Sequence, residues 1–160
     1  PEHLAVRGGS NGGLLMGAMI VQHPALFRAV VSRVGIYDML RVENTPNGIF
    51  NIAEFGSVKD PEQFRALYAY SPYHHVKDGT AYPATLLTTG ANDPRVDPYN
   101  SRKMAARLQA ATSSTAPILL RTSKTTGHGQ SSPLSDEIEL NTDLSAFLFA
   151  QLGERFPVKR

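Results

Sequence analysis

The chain has no cysteine and no tryptophan, and it contains no long hydrophobic run. Without cysteine there is no disulfide, no thiolate metal site and no thiol nucleophile, which removes several enzyme classes at once. A helix that crosses a bilayer needs about 20 consecutive apolar residues, and nothing here approaches that, so a soluble protein with no membrane partner is expected. Charge of one sign is scarce as well. Sixteen Lys and Arg stand against 14 Asp and Glu, for a formal net charge of +2. The basic residues are scattered apart from the closing Lys159-Arg160, so no face for nucleic acid is visible. The chain opens Pro1-Glu2-His3, with no initiator methionine, and reads as a piece of a longer protein. A cytoplasmic location is the expectation, with periplasmic or secreted placement left open because any signal peptide would lie upstream.

What is present suffices for one core. The chain has 160 residues, 41% of them hydrophobic, within the range of a single domain. The densest signal lies near the start, where the apolar Leu4-Ala5-Val6-Arg7 runs into Gly8-Gly9-Ser10-Asn11-Gly12-Gly13 and then Leu14-Leu15. Gly8 to Gly12 fits G-x-S-x-G, in which a serine sits on a sharp strand-to-helix turn with its hydroxyl clear of the sheet. A side chain at Gly8 or Gly12 is expected to collide across so tight a turn. The same glycines would also suit an ordinary loop, or a backbone nest for phosphate at a helix N-terminus. A phosphate loop of the Walker type needs a lysine where Leu14-Leu15 stand, so that reading loses its main support.

Downstream, strand and helix alternate. After the first strand over residues 4–7, dense apolar residues predict a helix over 12–22 buried on most of its surface, stopped by His23-Pro24. The β-branched run at 29–35 predicts a buried strand, and a strand-helix-strand unit of this length implies parallel pairing. Residues 36–79 are irregular, with one helical turn at 38–41, a loop at 44–48 and a helix from Asp60-Pro61 to about Tyr70. So long an excursion between strands is expected to wall a pocket. Strands at 84–90 and 117–122, helices at 99–111 and 133–152, and a loop over 123–130 complete a doubly wound α/β layer.

In an open parallel sheet the strand-to-helix loops emerge beyond the carboxyl ends of the strands, and ligands bind there. Ser10 follows the first strand, Asp93 the third and His128 the fourth, which is the Ser, Asp, His chain order of α/β-hydrolases. Each role follows from proton chemistry. A serine hydroxyl is a poor nucleophile until a base such as His128 takes its proton, and the base needs an acceptor such as Asp93 to fix its tautomer. Asn11 would give its backbone N–H to an oxyanion hole. Alone, His128 reads as a surface histidine between glycines, and Asp97 and Asp38 rival Asp93 as the acid. The pair His74-His75 fits a polar loop better than a metal site, because adjacent residues diverge and no acidic pair lies at useful spacing. No metal or cofactor is expected.

Several separated motifs carry a wider likeness. Gly8-Gly9-Ser10-Asn11-Gly12-Gly13-Leu14, Val34-Gly35-Ile36-Tyr37-Asp38-Met39-Leu40, Glu54-Phe55-Gly56, Tyr70-Ser71-Pro72-Tyr73, Asn92-Asp93-Pro94-Arg95-Val96 and Gly127-His128-Gly129 together resemble the C-terminal catalytic region of the prolyl oligopeptidase family, over nearly the whole chain. The resemblance implies an α/β-hydrolase fold, of which residues 1–160 form the C-terminal portion of the catalytic domain. It implies Ser10 as nucleophile, Asp93 and His128 as its triad partners, and Asn11 as donor of one oxyanion N–H. It also makes Arg95 the arginine that holds a substrate carbonyl, with an ion pair to Asp93 or Asp97 as its plainer reading. Ile36, Phe55 and Val96 then line an S1 pocket for proline. Where the family usually has a tryptophan stacking on that proline, this chain has Asn51. The partners implied are short peptide substrates and the rest of such an enzyme, its first strands and β-propeller. The expected function is a serine oligopeptidase with some preference for proline at P1; the alternatives are an esterase using the same triad, or an inactive, self-associating piece.

Overall fold

A computed structural model describes residues 1–129 and 132–154; Gln130 in the predicted loop and the Lys159-Arg160 pair lie outside them. Among the described residues, β1 (Ala5–Gly9), β2 (Ala29–Arg33), β3 (Ala84–Gly90) and β4 (Ile118–Ser123) form one sheet in that order, every neighbouring pair parallel. β2 and β3 are central, and all of β3 is buried, which is why both read as near-continuous apolar and β-branched runs.

Side-chain alternation divides the core between the two faces of the sheet. Val30 and Leu87 point to the face covered by α1 (Asn11–Gln22) and α4 (Tyr99–Ala111), where Met16, Ile20, Met104 and Leu108 pack with them. Val31 and Leu86, directly paired in register, point to the face covered by α5 (Leu134–Leu152) through Leu144 and Phe147. Burying each large side chain of this kind contributes about 1.5–3 kcal/mol. Among the described residues no helix is long and apolar enough to cross a membrane.

Three local expectations need correction. α1 is buried only along Gly13, Met16, Gly17 and Ile20, and Leu15 is 56% exposed. The helix lies so close to its neighbours at Gly17, where a Cβ would meet the Tyr37 ring at 2.7 Å, that one narrow stripe makes the contact. β2 ends at Arg33, short of Gly35, because Val34 turns to φ 41°, a conformation that β-branched residues rarely adopt. The excursion is also more ordered than its sequence suggests. After one turn closed by the Arg41 N–H on Asp38 O, 3-10 turns at Val42–Asn44 and Gly48–Asn51 lead into the short α2 (Ile52–Phe55).

α3 (Pro61–Tyr70) starts where expected. The Asp60 carboxylate accepts from the Glu62 and Gln63 N–H groups at 2.8 and 3.1 Å, a cap that contributes about 1 kcal/mol. The excursion closes on an apolar cluster of its own, with Ile36, Met39, Val42, Leu67 and Val96 buried and Leu14, Phe55 and Tyr70 packed against them. That cluster joins the segment after β2 to the loop after β3, beside the start of α1.

Candidate active site

Ser10 occupies the turn from β1 into α1 with φ 56° and ψ −120°, a left-handed conformation uncommon outside glycine and costing on the order of 1–3 kcal/mol. Backbone bonds hold it there. Its N–H donates to Arg33 O at 2.9 Å, and its carbonyl accepts from Gly13 and Leu14 N–H at 2.8 and 3.0 Å. Gly8 is required as expected, since a Cβ there would lie 2.3 Å from Gly12 O. The expectation for Gly12 fails: nothing lies within 4 Å of where its Cβ would be. The demand falls on Gly13, whose Cβ would lie 2.5 Å from the Gly35 Cα, because that side of the helix rests on the end of β2.

Three side chains from three loops meet at this turn. The Ser10 hydroxyl lies 3.0 Å from His128 Nε2, and His128 Nδ1 donates to Asp93 Oδ2 at 2.8 Å. The other oxygen of Asp93, Oδ1, accepts from the Arg95 and Val96 N–H groups, both at 2.9 Å. Burial by itself raises the Asp93 carboxyl, but the hydrogen bond from His128, the two backbone donors and the attraction of the imidazole outweigh it and hold it below the ordinary carboxylate value. The carboxylate therefore stays charged beside the ring. Asn11 is the first residue of α1, where a backbone N–H has no acceptor within the helix and faces the start of the turn.

The remaining predicted residues divide. Ile36 and Val96 are buried in one apolar cluster with Phe55 packed against them, so the three expected pocket residues are together. Asn51 ends the 3-10 turn before α2 and is half-buried. Arg95 is exposed, and among the described residues it forms no ion pair with Asp93 or Asp97; its carbonyl accepts from Asn47 Nδ2 at 3.4 Å. Neither rival acid reaches His128. Asp97 accepts from the Tyr99 N–H at the start of α4 at 2.9 Å, and Asp38 is held by Arg41 and Lys103. His74 and His75 fall in a 3-10 turn, Pro72–His75, with Nδ1 of each bonded to Ser71, one to its hydroxyl and the other to its carbonyl.

Two contacts at the site are not readable from the sequence. Asn11 Nδ2 donates to Glu54 Oε1 at 2.9 Å, tying α2 to the turn, and Asn92 Nδ2 donates to Lys124 O at 3.0 Å. Both residues stand inside motifs quoted above, which is the only signal available, since nothing in a motif names a partner 43 or 32 positions away.

With this geometry, comparison with known proteins becomes specific. The sequence profile of the prolyl oligopeptidase family matches residues 1–155. The chain belongs to this family. Its relatives in the prolyl oligopeptidase family include the prolyl endopeptidase of Elizabethkingia meningoseptica, 39% identical over 153 residues covering 95% of this chain and 22% of that protein. The prolyl endopeptidase of Dictyostelium discoideum is 42% identical over 147 residues, covering 90% and 19% respectively. Among solved structures, prolyl oligopeptidase B from Galerina marginata, bound to a 35mer hydrolysis and macrocyclization substrate, superposes with a TM-score of 0.91 at 34% identity, covering 98% of this chain and 22% of that one. The fold is thus that of the family's α/β-hydrolase domain, and the chain spans about a fifth of the length of these relatives.

Proposed function

We propose that this chain is the triad-bearing part of a serine oligopeptidase that cuts short peptides, and that the complete enzyme includes the further strands and the propeller that its share of the relatives' length leaves room for. The observation that carries the reading is the chain of contacts Ser10 Oγ, His128 Nε2, His128 Nδ1 and Asp93 Oδ2, at 3.0 and 2.8 Å. In the reaction Ser10 Oγ attacks the scissile carbonyl carbon while its proton passes to His128 Nε2. The Asp93 carboxylate stabilises the imidazolium, and the Asn11 N–H supports the oxyanion. As the C–N bond breaks, His128 Nε2–H protonates the leaving amine; water, activated by the same nitrogen, then releases the acyl group and restores the Ser10 hydroxyl.

Ile36, Val96 and Phe55 offer an apolar wall suited to a proline ring at P1, and Asn51 removes the aromatic face that would sharpen that choice. Metal and cofactor have no part in this scheme. A fluorophosphonate probe tests the nucleophile directly: wild type is labelled at Ser10 and Ser10→Ala is not. Hydrolysis of a peptide amide as well as an ester separates the peptidase from an esterase using the same groups. For the pocket, an aromatic contact contributes about 0.5–1.5 kcal/mol, so Asn51→Trp is expected to raise the kcat/KM ratio of proline over alanine at P1 by several-fold to about tenfold. No rise would sink the assigned position of Asn51. Because β1 ends the sheet, the 160-residue chain alone is expected to pair with itself, and light scattering that finds a stable monomer at micromolar concentration would refute this.

A further inference from the structure

Asp93 and His128 stand on different loops, 35 positions apart, and catalysis by an oriented base depends on keeping both in register. Much of that register comes from the loop after β3. The Ala91 N–H donates to Ser123 O at 2.8 Å, the Asn92 N–H donates to Thr126 O at 3.2 Å, and Asn92 Nδ2 donates to Lys124 O at 3.0 Å. Close backbone packing accompanies these bonds. A Cβ on Gly90 would lie 2.3 Å from both Thr126 O and Gly127 O, and one on Gly127 would lie 3.3 Å from Asn92 O. On its other flank the histidine loop is braced by Thr125 Oγ1 donating to Asp136 Oδ2 at 2.7 Å. Among the described residues, Asn92 is the only side chain of the acid-bearing loop that bonds the backbone leading to His128.

We propose that Asn92 is a positioning residue for the base: its amide clamps the backbone at Lys124 to the segment carrying Asp93, so that carboxylate and imidazole move as one unit. The proposal rests on the triad reading above, and Asn92 itself touches no reacting atom. A single exposed hydrogen bond adds little to global stability, so losing it should appear in the chemical step and leave folding and substrate binding in place.

The test uses the full-length protein as wild type, Ser10→Ala, Asn92→Ala and Asn92→Asp. The last keeps the shape of the side chain but sets an acceptor against the Lys124 carbonyl. General-base catalysis contributes about a hundred- to ten-thousandfold, and loosening the base without removing it should cost part of that. Both Asn92 variants are expected to lose about ten- to a hundredfold in kcat on a proline peptide amide, with KM within about twofold of wild type. Peptide binding measured in the Ser10→Ala background should be the same with and without Asn92→Ala. A kcat within about threefold of wild type for either Asn92 variant, while Ser10→Ala is inactive, overturns the clamp and leaves the triad standing. A loss confined to KM, or weaker binding in the Ser10→Ala background, also overturns it. An active Ser10→Ala overturns the triad reading instead.

Discussion

Among the described residues, two groupings of serine, histidine and aspartate invite comparison, and their geometries differ. Ser10, His128 and Asp93 come from three loops, with serine and histidine 118 positions apart. Ser71, which immediately precedes the 3-10 turn, and His74 within it are three positions apart, with Asp38 alongside. In the first, both ring nitrogens of histidine are engaged, Nε2 to serine at 3.0 Å and Nδ1 to aspartate at 2.8 Å. In the second, Nδ1 faces serine at 2.8 Å, while Nε2 stays 3.8 Å from Asp38 Oδ1, beyond a hydrogen bond. The hydroxyls differ more. Ser10 is presented by a strained turn, whereas Ser71 is fully buried, accepts the Met39 N–H at 3.0 Å and lies 3.3 Å from Tyr37 O.

The two carboxylates differ in the same sense. Asp38 already has two cations, Arg41 and Lys103, with Lys103 also set over the Tyr73 ring. Among the described residues Asp93 has two backbone donors and one titratable partner, so under the proposed mechanism its charge would be free to answer an imidazolium at His128. Residue types alone therefore do not make a triad. What distinguishes the first grouping is a serine held in an unfavourable backbone conformation and an acid whose one ionisable partner among the described residues is the histidine.

The sharpest way to break the comparison is to truncate each serine in the full-length protein. Ser10→Ala is expected to lower kcat by about a millionfold, as removal of a triad nucleophile does elsewhere. Ser71→Ala should leave kcat within a few-fold but lower stability by about 1–3 kcal/mol, because the buried Met39 N–H loses its acceptor. Steady-state kinetics and urea unfolding on both variants decide it; a catalytic collapse in Ser71→Ala would merge the two groupings.

Exchanging each acid for its amide gives a smaller contrast. Asp93→Asn is expected to cost about ten-thousandfold in kcat by favouring the wrong histidine tautomer. Asp38→Asn should instead destabilise the fold by about 1–3 kcal/mol, toward the low end for a broken buried pair because Lys103 and Arg41 are partly exposed. A kcat for Asp93→Asn within tenfold of wild type would remove the basis of the distinction.

The same contrast marks what the sequence reveals. The strand at Ala84–Gly90 and the helix at Tyr99–Ala111 are legible to the residue, because a β-branched run ending in glycine and a proline just ahead of a periodic stretch are local signals. Ser10, Asp93 and His128 are legible as a set because each stands in a turn-forming stretch just beyond a strand, the first, third and fourth, in the order Ser, Asp, His. Where meaning depends on what lies across the fold, the sequence is silent. It cannot say that Gly13 and not Gly12 meets the neighbouring strand, that Val34 takes φ 41°, or that Asn11 and Asn92 bond Glu54 and Lys124. It also does not foretell α2, since four residues are too few for a periodic signal.

The smallest effect separates the two groupings by pH. Burial lowers the His74 pKa from its ordinary 6.5; Asp38 opposes this, and Arg41, Lys103 and His75 add to it. Between the lowered value and 6.5 the unfolded chain binds more protons at this residue than the folded one, so stability falls as pH drops below about 6.5. Asp93 acts in a different window. Its carboxyl is depressed below 3.8 in the folded protein, so its contribution is complete above that value and is lost only as pH falls through the lower one. Urea midpoints measured from neutral pH downward should therefore decline in mildly acid solution for wild type and decline less for His74→Gln, with the strongly acid fall common to both. An unchanged slope in His74→Gln would mean that His74 is not the source of the mild-acid sensitivity.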